Sequence, residues 1–255
     1  MGKTKAIVPV HYAGVPCEMD VIMKIAQKYN LLVIEDAAQG ILSSYKGRQL
    51  GSIGDIGCFS FHETKNIISG EGGSILLNNK KFIQRAEIIR EKGTNRSDFM
   101  RGEVSKYTWV DIGSSYLPGE LTAAFLWAQL QEADSITKSR KEIWDFYHKS
   151  FYSLEKKNKL VRPFIPSHTY HNAHIYYLLL SDENQRDDFI KFMKSKGVNC
   201  VFHYIPLHSS KLGKKMGRSN NISITDDIAD RLVRLPIWLG VDKFTVAKTV
   251  QDYFN

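Results

Sequence analysis

The sequence predicts an α/β fold: a parallel sheet covered on both faces and flanked by helices, followed by a smaller α/β domain. Three observations carry this. Residues 5–36 read as strand, helix, strand within about thirty residues, the spacing of a βαβ unit. LLVIED, at 31–36, is apolar almost throughout, as a parallel strand covered on both faces requires. After the stretch KNKLVRPFIPS, whose two prolines mark a boundary, the alternation of strand and helix resumes.

The elements follow in order. KAIVPVH (5–11) reads as the first buried strand, and Val21, Ile22, Ile25 and Ala26 recur at helical spacing within 16–29. LLVIED is the second strand and ends on two carboxylates. LSSYKGRQLG sets a glycine turn between short extended pieces, a hairpin pattern. IGCFSF (56–61) and GSILLN (73–78) are further strands, and 80–92 is an amphipathic helix. Residues 93–117 have loop texture, and Pro118 suits the first turn of a helix, where its missing N–H is not needed. Helical texture runs from 119 to 157 with a break near 133. Beyond it come a strand (HIYYLLL), a helix (RDDFIKFMKSKG), a strand (NCVFHYI) and helices near 224–232 and 242–254. The expected division is a large domain over 1–132, a connecting helix over 133–160 and a small domain over 161–255.

Composition narrows the function. Hydrophobic residues make up 43% and charged residues 24% of the 255, ordinary for a globular chain with a real core. No apolar run is long enough to span a bilayer. The first fourteen residues lack the apolar core and cleavage site of a signal peptide, and Ala6 stands where a myristoylation signal needs Ser or Thr. Cys17, Cys58 and Cys200 are far apart and form no CxxC pair, which argues against a disulfide framework and for a reducing cytoplasm. The net charge of +8 is dispersed along the chain, so it reads as solvated surface compatible with a small anionic substrate. A basic binding module for nucleic acid or another anionic partner is the alternative of a different class, and the scatter of the cations speaks against it.

Most chemical motifs fail on spacing. GSIGDIG (51–57) is not GxGxxG and precedes a strand, and SGEGG does not fit a P-loop, so the glycines of 51–57 read as turns. His203 and His208 are five apart, an odd spacing that sends side chains of an extended segment to opposite faces, and no carboxylate cluster joins them as a metal site. No GxSxG elbow is present.

What remains is a set of three. Asp36, Ser60 and Lys65 fall at or just beyond the ends of neighbouring strands, where open α/β sheets bind ligands. Asp36 alone reads equally well as a helix cap, and Lys65 alone as a surface charge. Together they suit pyridoxal phosphate: a carboxylate to keep the pyridine nitrogen protonated, an amine to form a Schiff base with the aldehyde, and a hydroxyl to bind the phosphate.

IEDAAQ (34–39) and CFSFHETKN…GEGG (58–73) resemble the DegT/DnrJ/EryC1/StrS family of sugar aminotransferases. The resemblance extends through VPVHYAG, REKGTNRS, DIGSSYLPGEL, VFHYIPLH and RLPIWLG, nearly the whole chain. It implies the fold-type I aminotransferase architecture, with an incomplete large-domain sheet and a small C-terminal α/β domain. It further implies Lys65 as the Schiff-base lysine and proton carrier, Asp36 at the pyridine nitrogen, Gln39 near the ring and its phenolic oxygen, and Ser60 at the phosphate. Ser114 and Ser115 stand where many relatives have Tyr-Asn, whose Asn reaches the phosphate of a partner subunit; the shorter Ser115 cannot copy an amide contact in full. His203, Tyr204 and His208 are implied on the substrate side, with packing or loop hydrogen bonding the equal alternative for each. The reaction implied is transamination of a dTDP-4-keto-6-deoxyhexose by glutamate in a cytoplasmic homodimer. The product, dTDP-4-amino-4,6-dideoxygalactose, feeds surface polysaccharides such as enterobacterial common antigen. Lysine at position 65 argues against the branch of the family that carries histidine there and performs dehydration.

The family's first third, with a phosphate loop at a helix N-terminus and an aromatic residue stacked on the ring, finds no counterpart in residues 1–30. Two expectations therefore stand side by side: a sugar-nucleotide aminotransferase completed by a segment from elsewhere, or a non-catalytic remnant or subunit of one.

Overall fold

The computed structural model describes residues 3–220 and 222–255. They form two compact units, Met1–Ile136 with Ser167–Asn172, and Thr137–Pro166 with Ala173–Asn255.

The first unit is built on a four-stranded sheet of β1 (Ala6–Ile7), β2 (Leu32–Asp36), β5 (Ile56–Ser60) and β6 (Gly73–Leu77), in that spatial order. β1, β2 and β5 are parallel. Between β1 and β2 runs α1 (Met19–Tyr29), closed by Asn30 in the left-handed conformation, whose N–H donates to the Ala26 and Gln27 carbonyls. Met19, Ala26, Val33, Ala37, Tyr45, Leu50 and Ile53 make the core beneath this layer.

Two sequence expectations need correction here. KAIVPVH is not a continuous strand: pairing covers two residues, then resumes as a single bridge between Val10 and Asp36. Pro9 has no N–H to give a ladder, though its carbonyl still accepts the Asp36 N–H at 2.9 Å. The sheet is also not wholly parallel or covered. β6 runs antiparallel to β5 and forms an exposed edge, because residues 61–72 return directly as a loop where a parallel partner would need a longer crossover.

The expected hairpin is present as β3 (Ser44–Tyr45) and β4 (Arg48–Gln49), turning on Lys46 and Gly47, both at positive φ. β7 (Thr169–Tyr170) adds a third strand beside β3. The helix expected over 80–92 is shorter: a 3-10 turn over Lys80–Phe82 leads into α2 (Ile83–Arg90). Residues 93–117 are irregular apart from α3 (Arg96–Met100). Pro118 lies outside the following helix. Gly119 is the extended N-cap of α4 (Glu120–Gln131), so the proline precedes the cap and does not fill the first turn. α4 is apolar nearly all round and has no buried residue; Leu121 is 89% and Trp127 66% exposed.

The second unit carries α5 from Thr137 onward (the helix spans Ala133–Ser150), α6 (Tyr152–Lys156), β8 (Tyr176–Leu179), α7 (Glu183–Ser195), β9 (Val201–Phe202), α8 (Lys211–Met216), α9 (Ser223–Arg231), β10 (Leu232–Leu235) and α10 (Lys243–Phe254). Its antiparallel sheet has the order β8-β10-β9. Tyr147, Phe151, Tyr176, Phe189, Met193, Val233 and Val250 are at its centre. The strand expected over NCVFHYI is only two residues long, since the chain turns away before Pro206. The central strand is instead β10, a stretch that the sequence pattern runs into the end of a helix. Among the described residues no helix is long and apolar enough to cross a membrane.

Candidate functional site

Asp36 ends β2 and stands in register with Cys58 of the neighbouring β5, two residues before Ser60 ends that strand. Both chains thus deliver a polar side chain at the same edge of the sheet. The backbone of Asp36 is clamped: its N–H donates to Pro9 and its carbonyl accepts from His11, at 2.9 and 3.0 Å. Its Oδ1 accepts the Ala38 N–H at 3.1 Å, and among the described residues its other oxygen has no hydrogen-bond partner. Burial and the nearby Asp36 charge push the Cys58 thiol up, so it stays protonated at neutral pH. Gln39 follows on the same loop, where its Oε1 accepts the Ala13 N–H at 2.7 Å. Segment 9–13 is therefore a splint that holds both Asp36 and Gln39.

The other half of the site is the loop between β5 and β6. Ser60 Oγ accepts the His62 N–H at 3.3 Å. The loop is closed by Phe61 N–H to Gly72, Glu63 N–H to Gly70 and Ser69 N–H to Phe61. Gly70 (φ +84°) and Gly72 (φ +149°) take conformations that side chains resist, and these let the chain fold back within twelve residues. Lys65 sits in a tight turn, its N–H donating to the His62 carbonyl at 2.9 Å. The side chain is half-buried, and among the described residues its ammonium makes no hydrogen bond or ion pair.

Behind the sheet edge lies a polar core that motif reading passes over. Glu35 is fully buried. Its carboxylate accepts from His11 Nε2 (2.9 Å) and from the backbone N–H groups of Gly51 (2.9 Å), Ile53 (2.6 Å) and Gly54 (2.7 Å). Residues 51–54 of GSIGDIG are thus more than turns: their N–H groups form a nest for an internal anion. Burial works against the charged form of Glu35, yet the His11 hydrogen bond and the Gly54, Gly51 and Ile53 N–H groups hold its carboxyl below the usual range. His11 Nδ1 accepts the Cys17 N–H at 3.2 Å, which assigns the ring proton to Nε2. The signal available in sequence is the alternation of β2. If Asp36 points to the ligand end, Glu35 points the other way into apolar surroundings and requires partners there.

The remaining candidates lie apart from this constellation in the chain. Ser115 is exposed and forms an isolated bridge with Glu91 at the end of α2, and the preceding Ser114 exchanges backbone bonds with Ile89 and Lys92. His203, Tyr204 and His208 belong to the second unit, where they line a cavity of about 880 Å³ with Arg186, Lys214 and Asp226. His208 Nε2 lies 2.9 Å from an Asp226 carboxylate oxygen. The exposed Tyr204 has the Arg234 guanidinium 5.4 Å from its ring centre. Burial, helped by Arg234, lowers His203 to about 4, leaving it neutral at pH 7. Among the described residues no three His, Cys, Asp or Glu side chains gather to hold a metal ion.

Comparison with known proteins decides the family. The profile of the DegT/DnrJ/EryC1/StrS aminotransferase family matches residues 1–253. The chain belongs to that family. Among curated proteins, this DegT/DnrJ/EryC1/StrS member is similar to an uncharacterized protein of Methanocaldococcus jannaschii. The two are 38% identical over 248 residues, which cover 92% of this chain and 62% of the relative. It is 33% identical to the GDP-perosamine synthase of Escherichia coli O157:H7, covering 99% of this chain and 66% of that protein. Among solved structures, an aminotransferase from Psychrobacter cryohalolentis superposes with a TM-score of 0.90 at 25% identity, covering all of this chain and 69% of that one. The chain thus spans about two thirds of the length of these relatives. The fold is that of the pyridoxal-phosphate-dependent aminotransferases.

Pyridoxal phosphate is the cofactor of the DegT/DnrJ/EryC1/StrS enzymes, and the donor set of the first unit suits it. Among the described residues Asp36 has an uncommitted carboxylate oxygen and Lys65 an uncommitted amine, and Ser60 offers a hydroxyl at the adjoining strand end.

Proposed function

We propose that this chain carries the catalytic half-site of a sugar aminotransferase that moves an amino group from an amino acid to the keto carbon of a nucleotide-linked sugar. The observation that carries the reading is the common sheet edge of Asp36 and Ser60, with the Lys65 ammonium, unpaired among the described residues, on the loop that follows. The cofactor, when bound, supplies an electron sink that lets the α-proton of an amino acid leave. Asp36 would face the pyridine nitrogen, and Ser60 would donate to the phosphate. Gln39, held by the Ala13 N–H, keeps its amide NH₂ available to the ring's phenolic oxygen. Lys65 would hold the cofactor through Nζ and would carry a proton at that same atom.

For the substrate, the reading commits to a dTDP-4-keto-6-deoxyhexose, with glutamate as donor and dTDP-4-amino-4,6-dideoxygalactose as product, for surface polysaccharide synthesis. The nucleotide-sugar name of the E. coli relative and the net charge of +8 support an anionic sugar nucleotide. His203, Tyr204 and His208 are assigned to the sugar side, and Ser115 to the phosphate of a partner subunit in a homodimer. The exposed apolar side chains of Trp109, Ile112, Tyr116 and Leu121 support such pairing. Three free cysteines and no disulfide support a cytoplasmic setting.

The second reading is a non-catalytic remnant or subunit of such an aminotransferase. Absorbance separates the two. With added pyridoxal phosphate, the aminotransferase reading requires a band at roughly 410–430 nm that borohydride bleaches and Lys65→Ala abolishes. It also requires that release of 2-oxoglutarate from glutamate continue beyond one equivalent per chain only when the keto sugar nucleotide is present. A chain with no such band is the non-catalytic partner.

A further inference from the structure

Lysine is a poor residue to place accurately: its charge sits at the end of a four-carbon stem with about 2 kcal/mol of rotamer freedom. The position of its Cα therefore matters, and the two residues after Lys65 are both buried. Ile67 is fully buried and packs with Phe61, Ala133 and Ile136. Asn66 is only 6% exposed, and its Nδ2 donates to the main-chain carbonyl of Asn172, 106 positions away, at 2.8 Å. Asn172 is itself fully buried and already committed to the other half of the site. Its Nδ2 donates to the carbonyls of Gln39 (2.9 Å) and Ile41 (2.8 Å), and its N–H donates to Ser43 Oγ (3.0 Å). One buried residue thus binds the loop that follows Asp36 and the loop that bears Lys65. Gly14, at φ +75°, leaves room for it: a Cβ there would run into Asn172 Oδ1.

We propose that Asn66 and Asn172 are positioning residues: they lock the Lys65 turn to the Gln39 loop, so that the amine is presented at a fixed place relative to Asp36 and Gln39. This rests on the assignment of Lys65 as the cofactor anchor. Neither asparagine is placed in contact with cofactor or substrate; the effect runs through Lys65. Preorganisation of this kind lowers the entropy lost when a flexible amine is brought to a reaction geometry.

The test is Asn66→Asp, which keeps the size of the side chain but cannot donate to the Asn172 carbonyl. Asn66→Ser carries the same reading if the aspartate variant does not fold. In the cofactor-free chain, hydrogen exchange of the 65–69 amides is expected to accelerate about tenfold, the value of one hydrogen bond, while the amides of β8 keep their rates. In a second arm the chain is incubated with pyridoxal phosphate, reduced with borohydride and mapped by peptide mass spectrometry. Modification at Lys65 relative to the surface lysine Lys149 is expected to fall about tenfold in the variant. Unchanged exchange at 65–69 overturns the clamp, whatever the cofactor does. Faster exchange with undiminished trapping at Lys65 overturns the positioning role. Absence of trapping at Lys65 in the unmodified chain overturns the anchor assignment and, with it, the purpose of the clamp, while the exchange result still decides whether the clamp exists.

Discussion

His11 Nε2 and a Glu35 carboxylate oxygen meet at 2.9 Å with neither side chain exposed to solvent. The pair joins the buried side of β2 to the splint that holds Asp36, so its loss should be felt as stability first. Glu35→Ala leaves His11 and three backbone N–H groups without their acceptor, and breaking a buried pair from one side costs about 3–5 kcal/mol. Urea unfolding should show that loss. A loss below about 1 kcal/mol would mean that the carboxylate is not held as described.

The same carboxylate makes stability depend on acid. The folded chain holds the Glu35 carboxyl below its unfolded value, so its contribution is complete above about pH 4.3 and drains as pH falls through the folded value. His203 acts in the same direction over a higher window. Its folded value is about 4 against 6.5 unfolded, so the unfolded chain takes up the proton first and stability falls as pH drops from 6.5 towards 4. His203→Gln should reduce the decline between pH 6.5 and 4, leaving in place the Glu35 part and the share of His148, which burial and Arg162 also hold below its usual value. An unaltered profile in that variant would show that His203 is not the group responsible.

Gly14 should tolerate no side chain. Its φ of +75° costs an L-residue about 1–2 kcal/mol, and collision with the Asn172 amide adds about 1–3 kcal/mol of overpacking. Gly14→Ala is expected to lower stability by about 2–5 kcal/mol and to accelerate exchange around Asn172. A thermally neutral Gly14→Ala would contradict the packing of these two residues.

Asp36→Asn changes charge with little change in shape. A hydrogen bond to a charged group contributes about 1.5–3 kcal/mol, so pyridoxal phosphate should bind the variant roughly 10- to 100-fold more weakly. Equilibrium titration of the visible band measures this directly. Equal affinity in the two proteins would remove Asp36 from the pyridine nitrogen.

Local pattern made the parallel core of the large unit readable, because β2 and β5 are short apolar runs whose ends coincide with Asp36 and Ser60. The hairpin was readable for a similar reason, since Lys46-Gly47 is a turn signal between extended pieces. Long-range pairing was not. β10 joins β8 and β9 through residues up to 59 positions apart, and its LVRL sequence follows a helix without a break that propensity would register. In the site, the residues that carry chemistry are polar groups at strand ends and stand out against their apolar neighbours. The residues that hold them, His11, Glu35, Asn66 and Asn172, derive their roles from partners 16 to 133 positions away, beyond the span of one turn or one element.

α4 has a consequence for how this protein must be handled. Water meets Leu121, Phe125 and Trp127 on a helix with no buried face of its own, and a surface of that kind draws other apolar surfaces to it. Dilution series, mild detergent and light scattering belong beside every binding or unfolding curve recorded on this chain, because its apparent affinities and midpoints will shift with protein concentration.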